Sequence, residues 1–176
     1  MLQQQTLARP ADFSGIGLHS GNKVSMTLLP APPNTGILFR RVDLDSRAEI
    51  PAQVEHVSET ARSTTLSRGK AKVQTVEHVL ASLSGLGVTN AIVEVDANEP
   101  PIADGSSRQF CRMINEAGIE TQAEKIEPIT IIEELFGNDF LVSQALEKFS
   151  ATCGGGFGQG LQMMGDLVLP VFIQQS

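Results

Sequence analysis

The chain has 176 residues, enough for one ordinary domain or two very small ones. With 41% apolar residues it can build a packed core, and with no Trp or Tyr that core must rest on aliphatics and eight Phe. A formal charge of −7 with no basic patch disfavours nucleic acid as a partner, since phosphates are met by clustered Lys and Arg.

In chain order, the start MLQQQTLARP lacks a charged segment followed by an apolar run, so no signal peptide is expected. PADFSGIGLHSG, with glycines at 15, 17 and 21, suits a short strand ending in a tight turn. Val24, Met26 and Leu28 alternate with Ser25 and Thr27, the period of a half-buried strand. Pro30, Pro32, Pro33, Asn34 and Gly36 make the next turn, and Ile37 to Val42 reads as a second strand, with a hairpin between the two plausible. Residues 43–70 are polar and read as irregular. Thr75 then opens a helix whose Val76, Val79, Leu80 and Leu83 share one face; Thr75 is placed to cap it and Gly85 or Gly87 to end it. Asn90–Asp96 is the clearest strand. After the loop ANEPPIADGSS, a second helix covers about 108–117, with Phe110, Met113, Ile114 and Ala117 on one face and Gly118 as its stop.

Strands, helix, strand and helix in that order predict an α+β fold, a two-layer sandwich with helices packed on one face of a sheet. Residues 1–126 are expected to form that domain. Residues 127–176 differ in character, with Lys148 as their lone cation. Ile129 to Ile132 suits a strand, 139–151 a helix, and Gly154 to Gly160, with five glycines in seven residues, a costly-to-order loop. The longest apolar runs, such as Leu167 to Ile173, fall short of the ~20 residues a spanning helix needs, so a soluble cytoplasmic protein is expected. Cys111 and Cys153 are too few and too isolated for a disulfide framework or a metal knuckle.

The three histidines narrow the chemistry. Glu77 and His78 are neighbours in the first helical turn, about 100° apart around the axis, so both flank one region of space. A carboxylate beside a metal-ligating imidazole can deprotonate a water held by the metal. Taken alone, such a pair is more often a solvated first turn. His19, in a Gly-rich turn, is a general acid, an anion donor or a surface residue, and His56 has no partner pattern. No GxSxG elbow surrounds a serine, and GGGFGQG matches neither a P-loop nor a dinucleotide fingerprint.

Five stretches stand together in order: GIGLHSG (15–21), LPAPPNTGILFRRVD (29–43), ARSTTL (61–66), TVEHVLASLSGLGVTN (75–90) and PPIADGSS (100–107). Together they resemble the UDP-3-O-acyl-N-acetylglucosamine deacetylase family, zinc-dependent amide hydrolases of lipid A biosynthesis in Gram-negative bacteria. The resemblance implies a fold of two similar α+β domains facing each other across the active site. It implies Glu77 as general base, His78 as a ligand of catalytic Zn²⁺, His19 near the cleft, Thr60 and Ser63 in a loop bordering the substrate, and Asp104 as a supporting residue. The implied partner is a UDP-linked acylated amino sugar.

The family's second domain supplies further zinc ligands from a His-Lys-x-x-Asp helix before Gly-Asp-Leu, and a later His. Here no histidine follows His78. Aligning Gly165-Asp166-Leu167 puts Gly158, Gln159 and Gln162 at the His, Lys and Asp positions. A truncated, frameshifted or degenerate second domain is therefore expected, with little activity of its own unless helped in trans. A non-catalytic module that binds the sugar nucleotide or acyl chain is the alternative.

Overall fold

The computed structural model describes residues 2–126. Its elements are β1 (Gln3–Leu7), β2 (Ala11–Ile16), β3 (Lys23–Pro30), β4 (Ile37–Arg41), β5 (Glu49–Pro51), a 3₁₀ turn (Val54–His56), β6 (Val57–Glu59), β7 (Thr65–Arg68), β8 (Ala71–Gln74), α1 (Glu77–Gly85), β9 (Ala91–Val95), α2 (Arg108–Ala117) and β10 (Ile119–Lys125). The strand, helix and loop expected after residue 126 lie outside the described residues.

The architecture is α+β. Five strands form the main sheet in the order β2-β3-β9-β4-β5, antiparallel except for the β4–β9 pair. Because side chains alternate along a strand, register decides which ones share a face. Phe13 opposes Met26, Met26 opposes Val95, Val93 opposes Phe39, and Phe39 opposes Ile50. Val24, Leu28 and Ala91 extend this inner face, which is buried and carries the helices. Phe110 of α2 meets Phe13 edge-on, with ring centroids 6.0 Å apart. Val76, Val79 and Leu83 of the α1 segment and Ile114 of α2 complete the core. On the outer face Arg40 bridges Glu49 (2.7 Å) and Glu94 (2.9 Å) across neighbouring strands.

The hairpin between β3 and β4 does not form. β9, made fifty residues later, inserts between them and pairs with both. A parallel pair cannot be closed by a tight turn, so the chain leaves β4 and returns through α1 to β9. Residues 43–70 are not irregular either. They contain β5, the 3₁₀ turn, β6 and β7, and the last two join β8 in a three-stranded sheet. β1 and β10 form a separate two-stranded ribbon. A buried amide knot fixes that ribbon to the domain: the Asn90 side-chain amide donates to Gln4 (2.8 Å) and Gln122 (2.7 Å), and its Oδ1 accepts from the Gly36 N–H (2.8 Å).

Both α-helices among the described residues end on glycine. Gly87 (φ +75°) lets the Val88 N–H reach back to the Leu83 carbonyl, and Gly118 (φ +78°) stops α2. The start of α1 differs from expectation. Thr75 does not cap the helix: it lies two residues before it at φ +57°, and no side chain among the described residues caps the first turn.

Candidate active site

Three segments converge at the start of α1. The β7–β8 register pairs Thr65 with Gln74, which sets the preceding Thr64 beside the following Thr75. The Gln74 N–H donates to the Asn98 carbonyl (2.9 Å), and the Ile102 N–H donates to the Ile16 carbonyl (2.9 Å). The loop between β9 and α2 is thus clamped at one end to β8 and at the other to the end of β2.

Glu77 is exposed on the first turn, and one carboxylate oxygen accepts the Thr64 N–H. His78 is half-buried, with Nε2 3.1 Å from the Gly105 carbonyl oxygen. A carbonyl only accepts, so this bond puts the proton on Nε2 and leaves a lone pair on Nδ1. Nδ1 is buried without a hydrogen-bond partner among the described residues. A metal-ligating imidazole has this arrangement, its second N–H held by a backbone carbonyl or carboxylate. Asp104 builds the turn that presents Gly105: its carboxylate accepts the Ser106 N–H (3.0 Å) and hydroxyl (2.7 Å). Those bonds hold the Asp104 carboxyl below its usual range.

His19 is exposed in the turn after β2, and no hydrogen bond joins its ring to Glu77 or His78 among the described residues. Its backbone is held instead by Glu99, which the sequence reading missed. Glu99 is fully buried. It accepts the His19 N–H (3.1 Å), the Ser20 N–H (2.9 Å) and the Thr75 hydroxyl (2.7 Å). Burial alone would raise its pKa, but the bonds from Thr75, Ser20 and His19 outweigh that and bring it to about 2. The available signal was a Glu ahead of two prolines in a loop already singled out. Thr60 is exposed and Ser63 half-buried in the β6–β7 loop that holds Thr64.

Zinc, the implied metal, can be tested against these donors. The Nδ1 lone pair of His78 fits one ligand position. No group of three or more His, Cys, Asp or Glu is gathered to hold a metal among the described residues. A catalytic zinc usually takes three protein ligands, so these residues fit one position of such a site and not the whole of it.

Fold and site together define an α+β domain that presents an adjacent carboxylate and imidazole at the start of a core helix. The family model for UDP-3-O-acyl N-acetylglycosamine deacetylase matches residues 4–167, and the chain belongs to that family. It is 49% identical over 139 residues to a UDP-3-O-acyl-N-acetylglucosamine deacetylase of Pseudomonas entomophila (strain L48), a match covering 79% of this chain and 46% of the relative. The chain thus spans about half the length of the curated relative it matches. No helix among the described residues is long and apolar enough to cross a membrane.

Proposed function

We propose that this chain carries the base-bearing half of a zinc-dependent deacetylase acting on UDP-3-O-acyl-N-acetylglucosamine, in the cytoplasm, as a step of lipid A biosynthesis. Support comes from family membership and from one observation: Glu77 and His78 lie side by side, each held by a different loop, with His78 Nδ1 left without a partner among the described residues. Bound zinc would act as a Lewis acid and make water nucleophilic at neutral pH. Glu77 takes the proton from the water that attacks the acetamide carbonyl. The proton on Glu77 passes to the amide nitrogen as the C–N bond breaks, so acetate and the protonated amine are the products. The Thr64 N–H orients the Glu77 carboxylate, and the Gly105 carbonyl fixes the His78 ring. Asp104 acts by shaping the turn around Gly105, while His19, Thr60 and Ser63 border the substrate.

Turnover by this chain alone is negligible. One imidazole cannot keep zinc bound, and no histidine follows His78 to add another. Acetate release from UDP-3-O-acyl-N-acetylglucosamine, measured with added Zn²⁺ beside a Glu77→Ala control, should stay at background. Turnover abolished by Glu77→Ala would overturn this incompleteness and keep the base; turnover unaffected by it would overturn the base. The lack of a three-donor group among the described residues favours a second reading, a module that binds the sugar nucleotide or acyl chain without reacting. Zinc held through dialysis of the purified chain would exclude that module.

A further inference from the structure

Glu99 is a buried carboxylate that the proposed chemistry does not use. None of the ion pairs among the described residues includes it. Among the described residues its charge is met by backbone and hydroxyl donors alone, from two segments far apart in sequence. One is the turn holding His19 and Ser20; the other is Thr75. Thr75 adopts φ +57°, unusual for a β-branched residue and sustained only where its surroundings hold it. Its hydroxyl is held by Glu99 at 2.7 Å, and Glu77 and His78 follow directly after Val76. Gly17 makes room for the carboxylate: a Cβ there would stand 2.5 Å from Glu99 Oε2 and 2.3 Å from Ser20 Oγ.

We propose that Glu99 is a positioning residue, whose carboxylate clasps the His19–Ser20 turn to Thr75 and so sets the direction in which Glu77 and His78 enter α1. Its importance for catalysis rests on reading Glu77 and His78 as the reacting pair. The clasp itself can be tested without turnover or zinc.

The test is a set of ¹H–¹⁵N and imidazole spectra of the full chain. The Thr64 amide reports on Glu77, and the His78 ring reports on its bond to Gly105. In Glu99→Gln the His19 and Ser20 amide protons should move upfield as a charged acceptor becomes neutral, and the Thr64 and His78 signals should move with them. Thr75→Val, which removes the hydroxyl, should shift the Thr64 and His78 signals in the same way, and Thr75→Ser should restore them. A folded Glu99→Gln or Thr75→Val protein with Thr64 and His78 at wild-type positions would overturn the proposal and leave Glu99 a structural residue. If Glu99→Gln does not fold, the Val and Ser pair at Thr75 decides. Movement of these signals, with Glu77 and His78 shown not to be the reacting pair, would leave the clasp standing and the proposed function refuted.

Discussion

Replacing Glu99 by glutamine removes one charge and nearly keeps the side chain's shape, so it isolates what the carboxylate contributes. A carboxyl whose pKa falls from the usual 4.5 to about 2 on folding contributes about 3 kcal/mol at neutral pH. The sign follows from which state binds the proton first. As pH falls the unfolded chain is protonated near 4.5, while the folded chain resists until about 2. The contribution is therefore complete above pH 4.5 and is lost between there and about 2. Urea unfolding of wild type and Glu99→Gln at pH 7, 5, 4 and 3 should show a gap of about 3 kcal/mol at pH 7 and 5 that narrows at the two lower values. Stability curves that run parallel from pH 7 to 3 would show that folding does not perturb Glu99, and would refute the buried clasp.

Gly17→Ala should cost about 1–3 kcal/mol in urea unfolding, because its Cβ is forced against Ser20 Oγ and Glu99 Oε2; a loss under half a kcal/mol would mean the turn gives way easily. Limited proteolysis of the full chain should leave a stable core ending near residue 126, consistent with a described core that runs from Leu7 to Ile119; a stable fragment beginning near residue 60 would contradict that boundary.

The parts legible in the sequence were those whose signal is local. Val24, Met26 and Leu28 show the period of a strand, and Phe110, Met113, Ile114 and Ala117 that of a helix, because one buried face imprints its spacing on consecutive residues. What failed depends on partners far along the chain. Nothing in residues 23–41 announces that Val93 will sit between Leu28 and Phe39. β1 and β10 are mostly polar, QQQTL and IETQAEK, and show no apolar alternation. Thr75 looked like a cap because its hydroxyl could serve one; the hydroxyl goes to Glu99 instead, and the backbone turns left-handed there. Glu77, His78 and Asp104 came from motif resemblance, but Glu99 acts through amides eighty residues away, which no local pattern records.

The ribbon of β1 and β10 bears on the order in which a ribosome releases this chain. Gln3 pairs with Lys125, and the Ile126 N–H donates to the Leu2 carbonyl (2.9 Å), so β1 waits for β10. Synthesis adds about 5–20 residues per second, which leaves β1 without its neighbour for several seconds. During that interval its backbone is an open edge, the kind of template on which chains aggregate. β1 carries three successive glutamines and a threonine before its single leucine. A polar strand of five residues is a poor seed for apolar association, and it can wait in solution until residues 119–125 arrive.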